Sequence, residues 1–379
     1  MKRVYIYMAL LLCLVACQQE IPMVGLGVDD MYVVYRMKPL LLHPEYTGER
    51  YEWRDMLSDS LLSTDHDYVF CKADTGTYYL SLSIIDTTNP VHQDITIVVR
   101  EEEVAYSRYI SKVYEYLPAP GQFVNVLPQY EAGNTAADMA RKAQDCISGT
   151  NDGLISLGGF GGYVTFGFDH SVVNLLGQYD FKILGNSVYG TSAKKTDHGV
   201  GGSSEPGIVE VSFDKNQNGL PDDAWYELAG SAYHNAETKH HYRITYQRGD
   251  TVVWQDNTGG MGVIRKNSFH TQDYYPQWIA NDTLSFTGTL LPPNAYDELG
   301  NGSYFLLYSF DWGYADNHPN DSTDLVSFDI DWAVDSEGQS VYLPCVDFIR
   351  VYTAENQVCG WLGETSTEIK RAEDLHIEE

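Results

Sequence analysis

Apolar and polar residues alternate with period two along most of the chain, and this pattern predicts strands. Within the first hundred residues Tyr51-Glu52-Trp53 and Tyr68-Val69-Phe70 alternate. Asp74-Thr75-Gly76 reads as a turn, Tyr78, Leu80, Leu82 and Ile84 follow at every second position, and residues 94–99 supply a last strand. Beyond residue 153 the pattern predicts strands at 163–168, 179–183, 208–213, 242–246, 284–286, 304–310 and 346–352, separated by Gly, Asn and Asp turns. One segment is helical in character: residues 135–147 are rich in Ala, Met, Arg, Lys and Gln and end at Ser148-Gly149. Residues 101–116, with Pro118 and Pro120 behind them, read as a connection. Repeats of blade length are absent, which disfavours a propeller, and strands without alternating helices disfavour a parallel α/β sheet. The expected fold is mostly β: an Ig-like sandwich over residues 25–102, a linker over 103–120 and a larger jelly-roll-like β-sandwich ligand-binding domain over 121–379.

The first residues follow another pattern. Met1-Lys2-Arg3, an apolar run over 4–15 and Ala16-Cys17 give the charged, apolar, small-residue order of a secretory signal, with too few apolar residues for a spanning helix. Leu14-Val15-Ala16-Cys17 matches the lipobox of bacterial lipoproteins. The expectation is a signal peptide at 1–16, a lipidated Cys17 and a short tether over 17–24, with everything beyond it soluble. Gln18-Gln19-Glu20 places no aspartate at the second mature position, so outer-membrane anchoring is expected over retention at the inner membrane.

Composition sharpens this. The chain carries 29 tyrosines and 33 glycines, which favour strands and hairpins. Its formal charge of −29 excludes nucleic acid as a partner and argues against adsorption to anionic lipid, so lipid rather than charge must hold it to a membrane. Of six cysteines, Cys13 leaves with the signal and Cys17 takes lipid; Cys71, Cys146, Cys345 and Cys359 are too sparse for a disulfide framework. Cys345 and Cys359 either meet across a hairpin or stay buried thiols.

Two constellations carry candidate chemistry. Asp214, Asn216, Asn218, Leu220, Asp222 and Asp223 place oxygens at alternating positions, with Gly219 where the loop turns back. Calcium takes six to eight hard oxygen ligands from such a loop, including a backbone carbonyl at Leu220. Trp225 stands where an EF-hand has its bidentate glutamate, so a structural calcium site of another type is expected; an Asx-turn loop needs the same residue types. The second constellation is a set of aromatic and polar loops holding Trp254, His270, Tyr274, Tyr275, Trp278, Trp312, Tyr314 and His318. Aromatic faces beside Asn, Gln, Asp and His suit sugars and tetrapyrrole-like rings, although any single ring is more often a core plug. Enzyme signatures are missing: there is no HExxH, GxSxG or P-loop, and Gly158-Gly159-Phe160-Gly161-Gly162 lacks dinucleotide-loop spacing. No catalytic residue is expected, though 53 carboxylates leave a glycosidase pair open.

The order of strands in residues 25–102 resembles the PKD modules of surface proteins, which implies a spacer. Several strings farther on, at 120–128, 158–169, 214–225, 269–272, 311–317 and 360–369, resemble the PKD-containing cell surface lipoproteins of gut Bacteroidetes, including the vitamin B12-binding BtuH type. That resemblance implies capture of a corrinoid and delivery to a TonB-dependent outer-membrane transporter, with His270 or His318 as candidate axial ligands to cobalt. The competing expectations are a calcium-dependent glycan-binding lipoprotein, a polysaccharide hydrolase and a structural adhesin.

Overall fold

The computed structural model describes residues 25–86, 90–190 and 195–378; the signal segment, Cys17 and the tether lie outside them. The chain is nearly all β, as expected, with one α-helix among the described residues. It divides into two compact units, the first built from residues up to Val33, Leu41–Tyr68 and Thr77–Val98.

The smaller unit forms around a five-stranded sheet in the order Met31–Tyr35, Val91–Arg100, Gly76–Ile85, Arg50–Asp55, Leu61–Ser63. Its alternation is the one legible in the sequence: Trp53, Leu82, Ile84 and Ile97 are fully buried. Trp53 also donates its indole N–H to the Asp65 carbonyl at 3.0 Å, so its polar edge is satisfied.

The larger unit is organised by a six-stranded antiparallel sheet in the order Ala333–Val334, Trp225–Leu228, Gly207–Ser212, Phe348–Thr353, Tyr163–Gly167, Lys112–Leu117. Both faces are covered. Val209, Val211, Val164, Phe166, Ile349 and Val351 enter one core, and the alternate residues Ile208 and Tyr352 enter another. The first core is capped by helix Ala136–Ile147, which buries Met139, Ala143 and Ile147 at i, i+4 and i+8 and starts on a capping box between Thr135 and Asp138. The second core lies under a four-stranded antiparallel sheet in the order Met261–Ile264, Val252–Asp256, Lys239–Gln247, Thr283–Leu290, through Tyr242, Ile244, Tyr246 and Phe286.

One expectation is corrected, and one left open is decided for buried thiols. Lys112–Leu117, inside the stretch read as a linker, is an edge strand paired with Tyr163–Gly167. Its buried residues Val113 and Tyr116 stand three apart because the register shifts between them, so no period-two alternation marks the strand. Cys345 shares a buried apolar cluster with Cys71 rather than meeting Cys359, whose thiol sits 3.6 Å from the Thr365 hydroxyl; all four cysteines are free thiols.

The glycine string is a packing device. Gly158 (φ +68°) and Gly161 (φ +84°) adopt the left-handed region, and a Cβ on Gly158 would stand 1.9 Å from the Ala119 carbonyl oxygen. This lets Phe160 plug the second core, where the Tyr246 hydroxyl donates to its carbonyl at 3.1 Å. Gly158→Ala is therefore expected to destabilise by about 2–4 kcal/mol. Gly159→Ala, whose Cβ would meet nothing closer than 3.2 Å, is expected to cost about 1 kcal/mol. Chemical denaturation of both variants checks the ordering.

Candidate functional site

The strand registers explain where a site forms. Tyr163 pairs with both Leu117 and Tyr352, and Gly207 pairs with Thr353. Hence the segments after Leu117, before Tyr163, before Gly207 and after Thr353 all leave the six-stranded sheet at the same end. Three of them, joined by the loop around Asn267, enclose a cavity of about 420 Å³.

Its walls are aromatic and its floor is acidic. Phe269 and Trp361 stand at the rim, 69% and 52% exposed, with ring centroids 5.9 Å apart. Phe123 meets His270 edge to face at 4.7 Å. These rings are held by polar contacts: the Asn267 side-chain oxygen accepts from the backbone N–H of Phe269 (2.9 Å) and of His270 (2.8 Å), and the Trp361 indole donates to the Ser303 carbonyl at 3.1 Å. Gln122 ties two walls together. Its backbone N–H donates to Glu364 Oε1 (2.6 Å), its amide donates to the Glu364 carbonyl (3.2 Å), and its side-chain oxygen accepts from Asn267 (2.8 Å). Gly363 (φ +99°) lets the chain pass this amide, since a Cβ there would stand 2.8 Å from Gln122 Oε1.

Glu364 is 5% exposed, its Oε2 has no hydrogen-bond partner, and burial pushes its carboxyl up to about 8. Behind it Glu205, Asp316 and Glu368 bring carboxylate oxygens within 4.8 Å of one another. Burial first, and mutual repulsion second, raise Glu205 and Asp316 well above the ordinary carboxylate range, and burial raises Glu368 as well. Asp316 is a brace: its carboxylate accepts from the backbone N–H groups of Asn186 (2.7 Å), Ser187 (2.8 Å) and Glu368 (2.9 Å).

Of the eight aromatic and histidine residues expected at a ligand site, His270 lines this cavity. Tyr274 and Tyr275 are core residues, 1% and 0% exposed, with hydroxyls donated to the carbonyls of His270 and Asn281. Trp278 packs on the first core between Tyr116 and Tyr130, and Trp254 packs on the second. Tyr314 is 1% exposed, its hydroxyl accepting from the Ala232 N–H at 3.0 Å. His318 is buried, with its ring nitrogens on the Tyr189 hydroxyl (2.8 Å) and the Asp311 carbonyl (3.2 Å), so neither is free to ligate cobalt. Trp312 keeps 38% exposure but leans on Trp332, centroids 4.6 Å apart, away from the cavity. One aromatic platform across three loops is thus replaced by Phe123, Phe269 and Trp361. The residue strings at 120–128, 269–272 and 360–369 contained them, but no periodicity marked them as neighbours.

The candidate calcium loop is drawn together by its own side chains. The Asp214 carboxylate accepts from the N–H of Asn218 (3.0 Å) and Gly219 (2.8 Å), and the Asp222 carboxylate accepts from the Asn216 and Asn218 amides at 3.1 Å. The Asn216 and Asn218 oxygens serve as Asx-turn acceptors, and the Leu220 carbonyl accepts from the Asp222 N–H at 2.9 Å. Asp223 Oδ2 is buried without a partner, as a cation ligand would be.

A second acidic feature lies on the six-stranded sheet, where Glu210 and Glu227 are cross-strand partners lining a cavity of about 210 Å³. Glu227 is raised to about 8 by burial, its Oε2 accepting from the Thr289 hydroxyl at 2.6 Å. Glu210 faces the Arg350 guanidinium at 3.5 Å.

No family model and no curated protein matches the chain. Among solved structures it is similar to a SusE-like protein, at 8% identity over 92% of this chain and 95% of that one, with a TM-score of 0.28. It is also similar to a carbohydrate-binding module of the β-sandwich superfamily, at 8% identity over 90% and 91%, with a TM-score of 0.16. At these scores neither likeness carries an argument about the ligand.

The buried acids give the larger unit a defined pH response. Burial pushes Glu364 and Glu227 up to about 8, against about 4.5 for an exposed glutamate, so the folded state holds protons that the unfolded chain has already lost. Stability must then fall as pH rises through the window from about 4.5 to 8. Melting is expected a few degrees lower at about pH 8.5 than at about pH 5.5, and Glu364→Gln is expected to flatten part of that slope in calorimetric scans.

Proposed function

We propose that this chain is a glycan-binding surface lipoprotein whose ligand seats against Phe269 and Trp361. The observation that carries the reading is the cavity itself: exposed aromatic faces are fixed in place, polar groups of Gln122 and Asn267 edge them, and the interior is largely apolar. Sugar rings present apolar C–H faces flanked by hydroxyls, which this arrangement matches. A cavity of about 420 Å³ stands toward the small end of ligand pockets, which favours a short sugar segment. Lipidation at Cys17 would hold the protein at the outer membrane, where a bound ligand can be handed to a TonB-dependent transporter.

The test is titration calorimetry of the mature protein against a panel of oligosaccharides, with cyanocobalamin in the same series. Trp361→Ala and Phe269→Ala are each expected to weaken glycan binding roughly ten- to thirtyfold, about 1.4–2 kcal/mol. Trp254→Ala, at a residue that does not line the cavity, is expected to leave affinity unchanged. Tight cyanocobalamin binding with no glycan binding would replace this reading by the corrinoid one.

The Glu210 and Glu227 pair supports a second reading, hydrolysis of a glycoside, because it sets two carboxyls side by side in one cavity, both raised by burial and only Glu210 countered by the Arg350 guanidinium. Release of reducing ends that is lost in Glu227→Gln would establish it.

Calcium at Asp214, Asp222 and Asp223 is part of the proposal, as a structural ion that would take the Asn216 and Asn218 oxygens in exchange for their turn contacts. Added calcium is expected to raise the melting temperature by a few degrees, a difference that Asp214→Ala abolishes. Chelation that leaves the melting curve of the native chain unmoved would remove calcium from the account.

A further inference from the structure

The cavity under Phe269 and Trp361 is more specific than a neutral sugar requires. Among the residues lining it are two glutamates, Glu205 and Glu364, and no lysine or arginine. Glu364 reaches the floor with one carboxylate oxygen bound to the Gln122 N–H and the other without a partner, in a residue 95% removed from solvent. A buried carboxylate oxygen left unpaired carries the full cost of its desolvation. That cost is met either by a proton on the carboxyl or by a donor that something entering the cavity supplies.

A hydroxyl would satisfy one lone pair, but it would leave the charge of the site unanswered. Glu205 lines the cavity and belongs to a carboxylate group with Asp316 and Glu368, and none of these four acids forms an ion pair with a described basic side chain. The walls point the same way, because the faces of Phe123, Phe269 and Trp361 attract cations. An anionic sugar would find glutamates and no lysine or arginine to partner its charge.

Resting on the glycan reading, we infer that the ligand presents a protonated amine to Glu364, so that the site selects amino sugars over neutral, N-acetylated or acidic ones. The amine takes the free carboxylate oxygen as a charge-assisted acceptor while the sugar ring lies on Trp361. Glu364 interacts with Glu368, the Cys359 thiol and the hydroxyls of Tyr246 and Tyr274, all shifted upward by burial, while Glu205 and His270 line the same cavity. Binding a cation therefore favours the ionised carboxylate and releases a proton.

The experiment compares a β-1,4-linked glucosamine tetramer with its fully N-acetylated counterpart by titration calorimetry, at about 0.15 M salt to screen the charge of the whole protein. Runs in two buffers of different ionisation enthalpy report the proton. The expected result is at least ~10-fold tighter binding of the amine form, with proton release. In Glu364→Gln the ratio of the two affinities is expected to fall toward one. Equal binding of the two tetramers, or a preference untouched by Glu364→Gln, overturns the inference and leaves the glycan reading standing. Absence of binding by any oligosaccharide overturns both. Should Glu364→Gln fail to fold, the tetramer comparison and the buffer test on the native chain decide the matter alone.

Discussion

The structure depends on burying both faces of the six-stranded sheet. Because Ile208 and Tyr352 turn one way and Val209, Val211 and Val351 the other, both faces of the sheet enter apolar cores, and the aromatic cavity forms where the strands end. The antiparallel registers then bring chain segments far apart in sequence to one end, where Gln122, Glu205 and Glu364 come within a single cavity. The left-handed glycines at 158 and 161 are what allow the backbone to turn there while Phe160 seals the core beneath.

Charge at that end of the sheet is arranged against solvation. Buried carboxyls sit without basic partners, and an aromatic rim limits access to them, so protons or a ligand must neutralise what side chains do not. This gives the same group two linked properties, a response of stability to pH and an affinity for positive charge. Asp316 shows the contrasting solution, three backbone N–H groups satisfying one buried carboxylate. Glu364 has one such bond and an oxygen to spare.

Much of the fold was legible along the chain. Strand alternation and the helix over residues 135–147 needed only local periodicity, and each reappears within a few residues of its expected bounds. The edge strand Lys112–Leu117 was not legible, because a register shift sets its two buried residues three apart. The site was legible only in part. His270 was found because its loop is conspicuous in composition, whereas Tyr274, Tyr275 and Tyr314 satisfy the same compositional test and are buried with their hydroxyls bonded. Composition does not say which way a tyrosine points.

By itself the sequence determined the class of fold, the acidic balance, the lipobox at Cys17 and the absence of familiar catalytic motifs, since all of these are local or summed properties of the chain. Only the tertiary structure decided that Phe123, Glu205, Phe269, Trp361 and Glu364 are neighbours. The reason is that strand register, which pairs Tyr163 with Tyr352 and Gly207 with Thr353, sets which loops meet, and no single stretch of sequence contains it.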